Sequence, residues 1–138
     1  MRVRPRSCTY DRGVSSRPSI APWLSVARGS EALAFYVAAF GAVVVHQHAS
    51  ESGEIVAQLA VGDAQFWIAD DAVLSPATLG GASARFILSV DDPDALFAQA
   101  VAAGATVVAE MYEGHGWRIG RLTDPFGHDW EIARPLGA

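Results

Sequence analysis

Glu131 is the side chain whose position most invites chemistry. It lies in the run Trp117 to Pro135, WRIGRLTDPFGHDWEIARP, where two alternating stretches flank the turn Asp124-Pro125-Phe126-Gly127. Proline presets φ at the second turn position and glycine permits the reversal, so the run predicts a β-hairpin. Side chains alternate along a strand, which puts Asp129, Glu131 and Ala133 on one face and Trp130 and Ile132 on the other. The bulky Trp130 marks the buried side, leaving a mid-strand carboxylate on the opposite one. His46 and His48 share a strand face at i and i+2, where a polar edge strand is the simpler reading and a pocket role the sharper one. His115 and His128 fall in loops, and His128 reads most simply as a hairpin residue with its ring partly solvated. There is no Ser-His-Asp set, phosphate-cradling glycine loop or pair of catalytic carboxylates. Cys8, the one cysteine, excludes an intrachain disulfide and a cysteine-based zinc site.

The elements that must position these groups belong to a chain of 138 residues, half of them hydrophobic, which suits one domain or two small repeats sharing a core. No apolar run approaches the roughly 20 residues that span a bilayer, and no signal-peptide pattern follows the Arg-rich start. A cytoplasmic protein without membrane contact is expected. The formal charge of -5 is unevenly divided: residues 1 to 17 carry five Arg against Asp11, giving +4, and the remainder five Arg against fourteen acids, giving -9. An acidic body disfavours nucleic acid and mildly favours cationic small molecules. Residues 1–18, polar and broken by Pro and Gly, are expected to be a disordered tail.

From residue 19 the pattern is βαβββ, twice. IAPWLSV (20 to 26) is a first strand; Ser30 is placed to cap a helix that turns Leu33, Tyr36, Val37 and Phe40 inward and stops at Gly41. Strands follow at 42 to 48, 54 to 61 and 64 to 70, with Gly62-Asp63 reversing the chain between the last two. After a linker at 71–82, ARFILSV (84 to 90) is a strand, Asp92-Pro93 opens a helix that Gly104 closes, and strands fall near 105 to 111, 117 to 123 and 128 to 134. The letters repeat too: Leu24-Ser25-Val26 recurs as Leu88-Ser89-Val90, and Phe66-Trp67-Ile68-Ala69 aligns with Trp130-Glu131-Ile132-Ala133. The expected fold is α+β: one domain at 19–134, made of modules 19–70 and 83–134, then a short tail at 135–138. The two tandem βαβββ modules form a curved, cup-like mixed sheet with helices on the outer face.

The segments LSVARGSEALAFYVAAFGA and LSVDDPDALFAQAVAAGA, and above all GWRIGRLTDPFGHDWEI, resemble the vicinal oxygen chelate superfamily of glyoxalase I, bleomycin-resistance proteins and extradiol dioxygenases, over residues 20 to 134. The resemblance implies paired modules enclosing a cup that a homodimer often completes. It also implies four metal-ligand seats, which fall here at Ala21, Trp67, Arg85 and Glu131. Only Glu131 can bind a metal, and first-row ions in enzymes usually need three or more N or O ligands. A divalent ion would have to recruit His46 and His48, or His115 and His128. The family topology also sets Arg85 beside Glu131, so an ion pair is expected where metal-dependent relatives hold their ion.

With Leu24 and Val26 directed to the helices, alternation turns Trp23, Gln58 and Trp67 into the cup, with Leu59, Val61, Phe66 and Ile68 behind them. Tyr112 and Trp117 fall near the rim. The expected ligand-binding set is Trp23, His46, Gln58, Trp67, Arg85, Tyr112, Trp117 and Glu131. These residues favour a homodimeric small-molecule-binding protein of the glyoxalase/bleomycin-resistance type. It would sequester an aromatic or cationic compound with no cofactor and no metal. The alternatives are a metal-dependent lyase, isomerase or dioxygenase with shifted ligands, and a ligand-free dimeric scaffold.

Overall fold

The computed structural model describes residues 17–137; the expected disorder of the Arg-rich tail concerns residues almost all of which lie outside that range. In order, the elements are β1 (Trp23–Val26), α1 (Gly29–Phe40), β2 (Val43–Ala49), β3 (Ile55–Val61), β4 (Ala64–Asp70) and α2 (Pro76–Leu79). They continue as β5 (Arg85–Ser89), α3 (Pro93–Ala103), β6 (Thr106–Gly114), β7 (Trp117–Thr123) and β8 (Asp129–Pro135). The strands form two four-stranded mixed sheets of identical topology, β1-β4-β3-β2 and β5-β8-β7-β6. In each, the module's first strand runs parallel to its last, and the remaining neighbours are antiparallel. The fold is the α+β pair of βαβββ units that the repeat predicts. No helix of the described residues is long and apolar enough to cross a membrane.

Each helix covers one face of its sheet. Helix α1 buries Ala32, Phe35, Tyr36, Ala39 and Phe40, a stripe at three- and four-residue spacing, and ends where Gly41 adopts a left-handed conformation at φ 67°. The inward set differs from expectation: Phe35 is buried, Val37 is 44% exposed and Leu33 is only partly buried. The start also differs. Ser30 lies inside the helix, and the cap comes from Asp70 at the end of β4. Its carboxylate accepts the Gly29 N–H at 2.6 Å and the Ile55 N–H at 2.8 Å. A side chain at Gly29 would collide with that carboxylate, so close approach fixes the glycine. Helix α3 follows the expected chemistry, with Pro93 in its first turn and Asp92 accepting from Ala95 N at 3.2 Å. The linker is not featureless, since α2 lies within it, and Ser75 beneath is fully buried.

One core joins the modules. Trp130 of β8 packs its ring 4.8 Å from Phe40, 5.5 Å from Phe66 and 5.9 Å from Tyr36, all three in the first module. Beneath this cluster the buried Asp124 carboxylate accepts four hydrogen bonds. Trp130 Nε1 donates at 2.9 Å, Phe126 N at 2.9 Å, His128 N at 3.0 Å, and the Tyr36 hydroxyl completes the set. Helix α1 is thus bolted to the hairpin turn of the second module. Gln99 of α3 adds a bond to the Ala38 carbonyl of α1 at 2.9 Å.

Candidate functional site

The sheet faces turned away from the helices carry the residues expected to bind a ligand. In the first sheet a single cross-strand row runs His46, Gln58, Trp67, Trp23, each in register with the next. Trp23 and Trp67 stack with ring centroids 6.0 Å apart and planes 22° from parallel. Trp23 remains 56% exposed, while Leu59, Phe66 and Ile68 lie buried behind the row. Gln58 is oriented by its amide bond to Gln65 Oε1 at 2.6 Å. His46 and His48 are exposed on the edge strand β2, and the bulge between Val44 and His46 sets which of its residues share the Trp67 face.

On the second sheet Arg85 Nε meets Glu131 Oε2 at 2.6 Å. The pair forms because β5 and β8 are parallel neighbours with Ile87 opposite Glu131, which leaves Arg85 one step diagonal to the carboxylate. Glu131 is 8% exposed, so its charge is held against the guanidinium rather than hydrated. Tyr112, 45% exposed, and Trp117 stand on β6 and β7 of this sheet. The eight expected residues therefore gather as two groups: Trp23, His46, Gln58 and Trp67 on one sheet, and Arg85, Tyr112, Trp117 and Glu131 on the other.

Two residues matter more than the sequence suggested. Arg121 is in register with Glu131, and its Nε is buried without a hydrogen-bond partner among the described residues. Alternation along WRIGRLT carries that placement, but only once the hairpin register is known. His128 is a correction: it is not a partly solvated turn residue but is 9% exposed, and its Nε2 donates to the Ser25 carbonyl at 2.9 Å. The carbonyl lies 103 residues away in the chain, so no local pattern announces it.

Among the described residues, no group of three or more His, Cys, Asp or Glu is placed to hold a metal ion. The arrangement offers stacked indoles, one amide and a neutralised carboxylate, which suit binding of a planar group more than proton transfer.

Paired βαβββ units with one open face each define a protein of the vicinal oxygen chelate superfamily. The comparisons with known proteins agree. Residues 23–133 match the model of the glyoxalase-like domain, and an uncharacterized protein of Mycobacterium bovis is 34% identical over 133 residues, covering 89% of this chain and 87% of its own. Among solved structures, a gene product of Arabidopsis thaliana is similar at 31% identity and TM-score 0.68, with 86% of this chain and 99% of that one covered. A bleomycin-binding protein complexed with bleomycin shares the fold at 19% identity and TM-score 0.63, covering 86% and 98%. The chain belongs to the glyoxalase-like domain family.

Proposed function

We propose that this protein binds and sequesters a planar aromatic compound, cationic ones included, on its open sheet faces and without a resident metal ion. The observation that carries the reading is the stacked Trp23–Trp67 pair, with Trp23 56% exposed and Trp67 at a seat where the family resemblance implies a metal ligand. An exposed indole pair holds flat rings by stacking and organic cations through the ring quadrupole. The donor set does not fit a metal: Ala21 and Trp67 offer no ligand atom, Arg85 is cationic, and Arg85 already neutralises Glu131. A protein of this fold binds bleomycin, which lends the sequestering role a precedent. The protein is proposed to act as a cytoplasmic homodimer, with the open faces of two copies closing the cup, and without nucleic-acid partners.

A thermal-shift screen of planar aromatic compounds, with metal analysis of the purified protein, tests this. A stabilising hit is expected whose affinity falls by about 1–3 kcal/mol in Trp67→Ala, as for loss of an aromatic anchor. Unchanged affinity in that variant would place Trp67 outside the site. A stoichiometric divalent ion would instead return the chain to the lyases, isomerases and dioxygenases, with histidines as shifted ligands.

A further inference from the structure

We propose that the chain holds a second small-molecule site, under the linker between its modules, which takes a single aromatic ring bearing one hydrogen-bond donor, a phenol being the simplest. Behind Trp23 the linker roofs a cavity of about 200 Å³, lined by Trp23, Leu74, Pro76, Leu79, Phe86 and His128 together with Ser25 and residues 81–84. An engineered apolar cavity of about 150 Å³ takes benzene, so one substituted ring fits this volume. The cavity is built rather than incidental. Helix α2 sits on the turn that carries His128, so closely that a side-chain carbon at Gly127 would come within 2.8 Å of Pro76. The Phe86 ring flanks the imidazole with centroids 6.4 Å apart.

The polar feature is His128 itself. Its Nε2 faces the Ser25 carbonyl at 2.9 Å, and a carbonyl only accepts, so Nε2 carries the proton. In the tautomer with the proton on Nε2, the lone pair is on Nδ1. Nδ1 receives no hydrogen bond from the protein, and it is not sealed off, because the one sealed and unpartnered side-chain atom among the described residues is Arg121 Nε. His128 lines the cavity with Nε2 already engaged, so Nδ1 is the ring nitrogen left for a ligand there. A hydroxyl or N–H on a bound ring satisfies that acceptor, while the ring covers Leu74 and Leu79, which are 58% and 63% exposed. The wall shares Trp23 with the open-face pair but not Trp67, so dependence on Trp67 or on Leu79 tells the two sites apart.

The test titrates the full chain with phenol and with anisole, which keeps the ring and loses the donor, and follows binding by NMR. Saturable phenol binding is expected, with anisole weaker on the order of tenfold. His128→Phe should erase that preference. Leu79→Trp, at an exposed position the fold tolerates, should fill the cavity and abolish phenol binding while leaving Trp67-dependent binding intact. Equal affinity for phenol and anisole, absence of saturable phenol binding, or full binding in Leu79→Trp would overturn the proposal. So would phenol binding that Trp67→Ala removes and Leu79→Trp does not. Should His128→Phe fail to fold, the phenol–anisole comparison and the Leu79 variant still decide.

Discussion

Asp124 shows what one buried carboxylate can do with no ion-pair partner among the described residues. It is 4% exposed, and its two oxygens take donors from both modules: the Tyr36 hydroxyl from the first, and Trp130 and two backbone amides from its own hairpin. Four donors disperse the charge that water would otherwise solvate. Burial first, and then the Asp124 carboxylate beside it, hold the Tyr36 phenol well above its ordinary range. The folded protein keeps that proton at pH values where the unfolded chain releases it. The stabilisation is therefore complete below about pH 10 and is lost as pH climbs past that value toward the folded-state pKa, at up to about 1.4 kcal/mol per pH unit. Tyr36→Phe is expected to cost about 1–2 kcal/mol at neutral pH and to remove this alkaline loss. Urea unfolding on either side of about pH 10 checks both, and an unchanged alkaline slope in the variant would show that Tyr36 is not its source.

Among the elements, α1 depends on a residue outside itself. Its first turn has no local side-chain cap, and the Asp70 carboxylate supplies one from 41 residues along the chain while also holding the start of β3. Asp70→Ala should cost about 1–2 kcal/mol, the usual loss for a cap. Gly29→Ala should cost at least as much, because the added carbon enters the space of both Asp70 and Ile55. Chemical denaturation of the two variants checks this, and a neutral Gly29→Ala would mean the carboxylate moves aside freely. The same contrast explains what could be read in the sequence. Strand order, helix stops at Gly41 and Gly104, and the opposed faces of Trp130 and Glu131 follow from alternation and turn chemistry, which are local. So does the inward face of Trp23, Gln58 and Trp67. The Arg85–Glu131 pair was legible because the duplicated pattern, with its family resemblance, set two strands side by side. The Asp70 cap, the Tyr36–Asp124 bond across 88 residues and the His128–Ser25 bond across 103 were not, since each joins groups that only the finished fold brings together.

For the whole molecule the question is what covers the open faces. In each module the helices shield one side of the sheet, and the other leaves apolar residues in solvent: Trp23 at 56%, Val43 at 64% and Ile87 at 62% exposure, with Val108 of the outer strand β6 also 53% exposed. All seven residues of the outer strand β2 are exposed, and long unpaired edges with valine runs invite pairing with another chain. A second copy is the proposed cover, because duplicated modules present matching faces to each other under two-fold symmetry. A stable interface of this kind buries on the order of 800 Å² per partner, which sheet faces of this kind can supply. Sedimentation at micromolar concentration is expected to give a particle of twice the 14.6 kDa chain mass. Val43 is in register with Ala60, on the Trp67 side of its sheet, and Ile87 is in register with Glu131 on the open side of the other. The double substitution Val43→Glu with Ile87→Glu adds charge to both open faces without entering the core, so it should yield a folded monomer whose circular dichroism matches the wild type. A wild-type monomer would sink the idea and leave the Trp23–Trp67 pair to bind its ligand from one open side.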